Sequence, residues 1–550
     1  MKGKGQIQYL SVIILAAVLG VTALAFSPVV THGFVLSWDD DSHVVGNRFI
    51  RSLAPQRVRA IFTSTVCNTY IPLTVLSFAL EYRFGGLDPF IYHLNNLILH
   101  LGVTGLVFLF VRRCGYSLFV SFLAALLFGV HPLHVESVAW VSERKDVLFA
   151  FLYMLALIAY QKYLAGGARL ALFFSFLFGY GSLLAKPMAA SLPAVMALYD
   201  WFVRRRVTWG VVFEKISLAL LMAPALWITF SLNRQPFFLF SGKTVLTWTW
   251  CFMFYLRAFL FPARLLPYYV FPGPVSWTNW HCVLPFFSLV LFAGAVWVFR
   301  RHRVFVFAAL FYAASILPVL RVDPAHSLTV VADRFMYLPS LGLCFVFAAA
   351  AERVFLKAKS IRGARLVLAG TLAALFLALS LKTYAQSQIW RDDDSLWQDT
   401  IRRYPCAVYP YYARASANAQ KGLGSRALQD YNKVLELNPR FASAYNDRGL
   451  VWFQQGRWDT ALDDLNRAVV LAPDRAVYYL NRGYLYEMMK RPAEALRDYT
   501  RALQLDPQEV RAHVRRAEIY RSQGREDAAA LEDRRAREKD PLFFELRVAP

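Results

Sequence analysis

The chain has 550 residues, 57% of them hydrophobic and only 18% charged, with a formal net charge of +23. A soluble domain carries about 25% charged residues, so most of this chain belongs in lipid, and its length is too great for one ordinary domain. Much of the positive charge falls in short clusters between apolar runs (Arg112-Arg113, Arg204 to Arg206, Arg300-Arg301-His302-Arg303), a positive-inside pattern that excludes nucleic acid as its explanation.

The first apolar run, Tyr9 to Phe26, follows Lys2 and Lys4 and carries Ala23-Leu24-Ala25 near its end. It fits a spanning helix, which needs roughly 17–25 residues, and also a cleavable signal; the uncleaved helix is the reading adopted. Either way the following loop, 28–93, is delivered outside with Asp39-Asp40-Asp41 in it. An acidic triplet is commonly a solvated loop or a helix cap. Here Trp38 and Asn47 flank it, which points to an ordered segment at interface depth. Carboxylates crowded near lipid cannot all ionise cheaply, so at least one pKa should rise, as suits a general base.

Further spans are expected near 94–111, 115–131, 146–164, 168–185, 188–203, 211–231, 280–299, 303–320, 335–352 and 366–385. With the N-terminal lysines inside, the arginine clusters and the stretch 353–365 are also inside, and the loop 131–146 is outside. This alternation holds only if 244–270, aromatic-rich and broken by Pro262, makes no net crossing. It reads as a re-entrant or interfacial hairpin, whose backbone must be buried in protein or line a cavity.

Three outer stretches carry chemistry. In "HPLHVESVAWVSERKD", starting at His131, Glu136, Trp140 and Arg144 stand four apart on one helix face. His131, His134 and Glu136 are metal ligands by type, but their spacing is not that of a zinc helix, and no metal is expected. The plain reading is an interfacial helix with charges among headgroups; the functional one is Arg144 and Lys145 holding a phosphate, to which the guanidinium fork is suited. Lys186, in "LLAKPMAASLP", lies between two apolar runs, which is either functional or a snorkelling side chain. "VVADRFMYLPS" puts Arg334 and Tyr337 at the outer end of another span, with Asp333-Arg334 readable as a simple ion pair. His93 and Asn96 in "YHLNNLILH" read as helix contacts. Six cysteines without a CxxC argue against a disulfide framework; Cys67, Cys282 and Cys406 are the ones placed toward an oxidising side.

The C-terminal part differs. Pro405, Pro439, Pro473, Pro507 and Pro541 recur 34 apart, and Ala427, Ala461, Ala495 and Ala529 keep the same step, as do Arg414, Arg448, Arg482 and Arg516. A 34-residue period with small residues at helix crossings and proline at the junctions is the tetratricopeptide pattern; the more polar last unit suits a capping repeat. The expected fold is all-α: a polytopic helix bundle over 1–386, a connector over 387–408, about four repeats over 409–541 and a tail, 542–550. Counting spans puts the repeats on the side of the acidic loop.

In this order, "WDDDSHVVGN", "YIPLTVLSFALEYRFGG" with "YHLNNLILH", "HPLHVESVAWVSERKDVL", "LLAKPMAASLP" and "ADRFMYLPSLG", followed by the repeats, the chain resembles the transmembrane and tetratricopeptide-repeat O-mannosyltransferases and their bacterial relatives. The resemblance implies a GT-C-type glycosyltransferase, multi-pass in a bacterial inner membrane with exported repeats. Such an enzyme takes a sugar, mannose by the animal members, from a polyprenyl-phosphate carrier. It implies an acidic pair as the catalytic signature, falling on Asp39 and Asp40 without deciding between them. Arg144, Lys186 and Arg334 are then expected at the donor phosphate and His134, Glu136 and Tyr337 elsewhere in the pocket, with no certain cofactor. A protein hydroxyl held by the repeats is the expected acceptor, a lipid or glycan the variant. The alternative is a non-enzymatic scaffold, an anchored repeat array assembling an envelope complex.

Overall fold

The computed structural model describes residues 2–232, 242–320, 330–358, 361 and 363–539. Among them every regular element is a helix; the only β contact is an isolated bridge, Val66 to Thr69. Two compact units divide between Thr400 and Ile401.

In the first unit, α1 (Lys2–Ala25) leads into the outer-loop segment, which holds two helices of its own, α2 (Pro55–Thr63) and α3 (Pro72–Gly85). Then come α4 (Pro89–Arg113), α5 (Leu118–Val130), the short α6 (Val135–Ala139), α7 (Arg144–Gly166), α8 (Arg169–Ala185), α9 (Leu192–Phe202) and α10 (Trp209–Leu232). After these follow α11 (Gly242–Leu260), α12 (Trp280–Val298), α13 (Arg303–Ile316), α14 (Ser340–Lys357) and α15 (Ala364–Ile389). Among the described residues six helices are long and apolar enough to cross a membrane, seven if α5 and α6, bent by 50°, count as one. α8 and α13 are apolar but shorter. This is the helix bundle of a multi-pass membrane protein. Lipid offers helices no hydrophobic drive to associate, so close backbone approach must hold them together. At Gly342 of α14 an added Cβ would lie 2.7 Å from the Ala308 carbonyl of α13, so only glycine permits that crossing.

In the hairpin segment expected over 244–270, residues 242–260 form one continuous helix, α11, and the break comes at Pro262, where it is expected. Proline removes a helical hydrogen bond and clashes one turn back, which explains the stop at Leu260. Both ends of α11 lie against segments expected outside, since Gly242 borders Trp277 before α12 and the Phe259 carbonyl lies 3.1 Å from His131 Nε2. The last helix, α15, also runs three residues past the expected boundary at 386. Beyond it, residues 387–400 fold back onto the acidic loop: Trp390 stacks on Trp140, Trp397 Nε1 donates to Ser37 Oγ at 2.7 Å, and Asp393 accepts from the Ser37 amide at 2.8 Å. The chain therefore leaves the first unit at the acidic-loop end.

The second unit is four antiparallel helix pairs: Val408–Gln420 with Gly424–Leu437, Ala442–Gln454 with Trp458–Leu471, Ala476–Met488 with Pro492–Leu505, and Val510–Ser522 with Glu526–Lys539. The repeating alanines are fully buried. The repeating arginines form a ladder, Arg414–Asp430, Arg448–Asp464 and Arg482–Asp498, each a two-pronged pair at 2.7–2.8 Å. In the last repeat Glu532 takes the aspartate's place, 3.4 Å from Arg516. Pro541 and the tail lie outside the described residues.

Candidate functional site

The acidic triplet does not behave as a unit. Asp40 is fully buried. One of its oxygens accepts from the Ser142 amide at 2.8 Å and the Ser142 hydroxyl at 2.5 Å, and the other from the Val35 amide at 2.8 Å. It thus pins the first outer loop to the second. Burial pushes its carboxyl up to about 7, against the pull of those three donors. Asp39 is different: its side chain is 40% exposed, and the Lys145 ammonium lies 3.7 Å away. Asp41 begins a short π-helical turn, Asp41–Val45, which packs His43 inward beside Asp39. Burial first, then the Lys145 charge, lowers the His43 pKa to about 4, so its ring is neutral.

The cations come from three separate elements and converge on one carboxylate, Glu143, which is wholly buried between α6 and α7. Lys145 Nζ lies 3.1 Å from it, Lys186 Nζ 3.5 Å and Arg334 Nε 3.2 Å. Lys186 also pairs with Asp146, and Arg334 reaches Glu136 at 2.5 Å while its amide donates to the same carboxylate at 2.9 Å. Glu143 Oε1 has no aligned hydrogen bond in spite of its two close cations. Aromatic faces floor the cluster: Trp140 under Lys145 and Arg334, Phe335 under Lys186 and Arg334.

Lys186, Arg334 and Glu136 are therefore brought together, with Asp39 close by through Lys145. Arg144 is not part of this group. Its guanidinium is buried and spent on Glu81, Asn96 and the Tyr92 carbonyl, the last at 2.7 Å, with Phe78 stacked over it. The expectation that it holds the donor phosphate is corrected: the guanidinium is buried and its charge is already paired with Glu81. His134 and Tyr337 are likewise corrected as pocket residues. Both are fully buried; His134 lies 2.7 Å from the Phe128 carbonyl and 2.9 Å from Ser340 Oγ, and the Tyr337 hydroxyl 2.7 Å from His100 Nδ1. With His100 they form a polar layer inside the bundle, the rings tilted against one another. Asp333 does not pair with its neighbour Arg334 but accepts from the Tyr269 hydroxyl at 2.7 Å, and burial holds its pKa well above the usual range.

Three site residues escaped the sequence reading: Glu143, His43 and Cys67. Cys67 sits in a tight turn, closed by Val66 and Thr69, with positive φ at both Cys67 and Asn68. The turn brings its sulfur, an Asp39 oxygen and a His43 nitrogen within 4.8 Å of one another. Sulfur, imidazole and carboxylate together suit zinc best among common ions. All six cysteines are free, and Cys282 is buried.

Family models of the tetratricopeptide repeat match residues 413–476 and 476–509. Over 510 residues the chain is 26% identical to the human protein O-mannosyl-transferase TMTC1, covering 79% of this chain and 56% of that protein. Human protein O-mannosyl-transferase TMTC2 is 24% identical over 441 residues, covering 62% and 52%, and its mouse counterpart 37% over 145 residues, covering 26% and 17%. The chain thus spans little more than half the length of these relatives. Among solved structures, MamA is 23% identical, with a TM-score of 0.26 and coverage of 27% of this chain and 88% of MamA. The chain is a homologue of the tetratricopeptide-repeat protein O-mannosyl-transferases.

Proposed function

We propose that this chain transfers a sugar, mannose, from a polyprenyl-phosphate carrier to a serine or threonine hydroxyl of a protein, on the outer face of a bacterial inner membrane. The observation that carries this reading is one half-exposed carboxylate, Asp39, beside a buried set of cations that no single helix supplies. The names and extent of the relatives supply the sugar and the class of acceptor.

Asp39 takes the proton of the acceptor hydroxyl as the oxygen attacks the anomeric carbon. The bond from that carbon to the phosphate oxygen breaks, its electron pair leaves with the phosphate, and attack from the opposite face inverts the configuration. Lys145, Lys186 and Arg334 hold the departing phosphate, where a water-poor site makes their charge most effective. Of the pair expected to hold the phosphate, Arg144 and Lys145, Lys145 alone takes that part. Asp40 does not react; it fixes the loop that presents Asp39. The prenyl tail stays in the bilayer, which accounts for the spans, and the repeats bind the protein acceptor. Export of the repeats is favoured by residues 387–400, which fold onto the outer loop.

The test is mass spectrometry of envelope proteins from cells with and without the gene, joined to transfer from labelled polyprenyl-phosphate mannose by the purified chain. Hexose on serine or threonine only when the protein is present supports the proposal. Label on a lipid or glycan would replace the acceptor, and no protein-dependent label anywhere would leave the scaffold reading.

A further inference from the structure

The end of the bundle opposite the acidic loop holds a cavity of about 530 Å³, within the roughly 300–1,000 Å³ typical of small-ligand sites. α9 leads away from Lys186 and ends there, the turn 203–208 crosses it, and α10 starts back. Its inner wall is apolar, from Ala197, Val211, Val212 and Ile216. Its rim is cationic.

The charges at this rim are not equivalent. Arg205 turns inward and grips Glu214 with two hydrogen bonds, 2.7 and 2.9 Å, while Lys215 pairs with Asp200. Arg303 donates to the Trp201 and Phe202 carbonyls at 3.0 and 3.1 Å, tying α13 to the end of α9. The two acidic residues are therefore consumed. Arg204 and Arg206 remain exposed at the mouth, and their side chains have no partner among the described residues. Arg204 is moreover held at φ +61, a conformation that costs a non-glycine residue energy unless the surroundings impose it. Beside the mouth α10 presents bare apolar side chains, Trp209 at 88% and Phe213 at 70% exposure, where acyl chains would run.

We propose that this cavity is a binding site for the phosphate headgroup of an anionic phospholipid from the leaflet opposite the acidic loop. Two unpaired guanidiniums match phosphate oxygens in charge and geometry. An apolar floor with an open lipid-facing side suits a glycerol backbone and chain, and basic recesses between spans are known to take such headgroups. The inference rests on geometry and charge alone and stands whether or not the chain transfers sugar.

Native mass spectrometry of the full chain in detergent, titrated with phosphatidylglycerol or phosphatidylcholine, reads this directly. The expected result is selective retention of phosphatidylglycerol by wild type. R204A/R206A should weaken it about 25-fold, two cations at about fivefold each. R300A/R301A removes the same charge from the same end but not from the cavity, and should retain the lipid. A third variant, Val212→Trp, fills the cavity while keeping every charge and should also lose it. Equal loss in R204A/R206A and R300A/R301A would mean diffuse attraction and overturn the site. So would retention by Val212→Trp, or inorganic phosphate competing at the same concentration, which would make the ligand a free anion.

Discussion

Substituting Asp40 by asparagine separates the two aspartates most sharply. Asp40 receives three donors, the Val35 amide and the Ser142 amide and hydroxyl. Asparagine keeps one oxygen for Ser142 but turns an NH2 toward the Val35 amide, leaving a buried donor unmatched at a cost of about 1–3 kcal/mol. The pH dependence adds a second signature. Burial raises the Asp40 pKa in the fold from 3.8 to about 7, so the folded state favours the neutral acid. That stabilisation is complete below about pH 4 and is lost as pH rises toward 7, where the carboxylate must be charged in its buried setting. The substituted amide cannot titrate. The thermal midpoint of Asp40→Asn in detergent, at one scan rate, should therefore lie below wild type, with a gap wider at pH 5 than at pH 8. A gap that widens with pH, or no gap at all, would refute the account of Asp40 as a buried pin.

Other outcomes follow from the same geometry. Glu81→Ala strands the buried Arg144 charge and should cost about 3–5 kcal/mol in stability, with transfer per folded molecule retained; selective loss of donor binding would return Arg144 to the site. Lys490 occupies the left-handed turn position held by Gly422, Gly456 and Gly524 in the other repeats. Lys490→Gly should therefore stabilise the repeat unit by about 0.5–1 kcal/mol, the left-handed penalty less glycine's entropy, and a destabilised variant would refute the strain. Gly483→Ala should cost about 1–3 kcal/mol by overpacking, since its Cβ would meet the Tyr499 ring at 2.8 Å; an unchanged unfolding midpoint would contradict that. The reaction as drawn needs Asp39 free, so EDTA should leave transfer intact; activity abolished by EDTA and restored by metal would make Asp39 a ligand with His43 and Cys67.

Periodicity made the helices and the repeats readable, because both signals extend over many residues. The 34-residue arginine step was visible, but its purpose was not: the aspartate that answers it stands sixteen residues on, in the second helix of each pair. The outer stretches "SERKD" and "LLAKP" stand out in the sequence by charge. Which of two adjacent cations faced the site depended on the helical phase of α7, since Arg144 turns to Glu81 and Lys145 to Asp39. A run interrupted by Trp140 and two short turns does not set that phase. Nothing in the sequence around Glu143 marks its role; only the fold brings Lys186 and Arg334 to it. For 244–270 the break at Pro262 is legible because proline acts on the turn preceding it; that the residues before it form one uninterrupted helix is not marked by the aromatics.

The central claim, that Asp39 is the base, is tested most directly by initial rates of sugar transfer from labelled polyprenyl-phosphate mannose in proteoliposomes. Wild type and Asp39→Asn would be compared at equal folded protein. The account predicts a fall of about 10²–10⁴-fold with an unchanged thermal midpoint, since the Asp39 side chain is 40% exposed. A rate within a few-fold of wild type would contradict it.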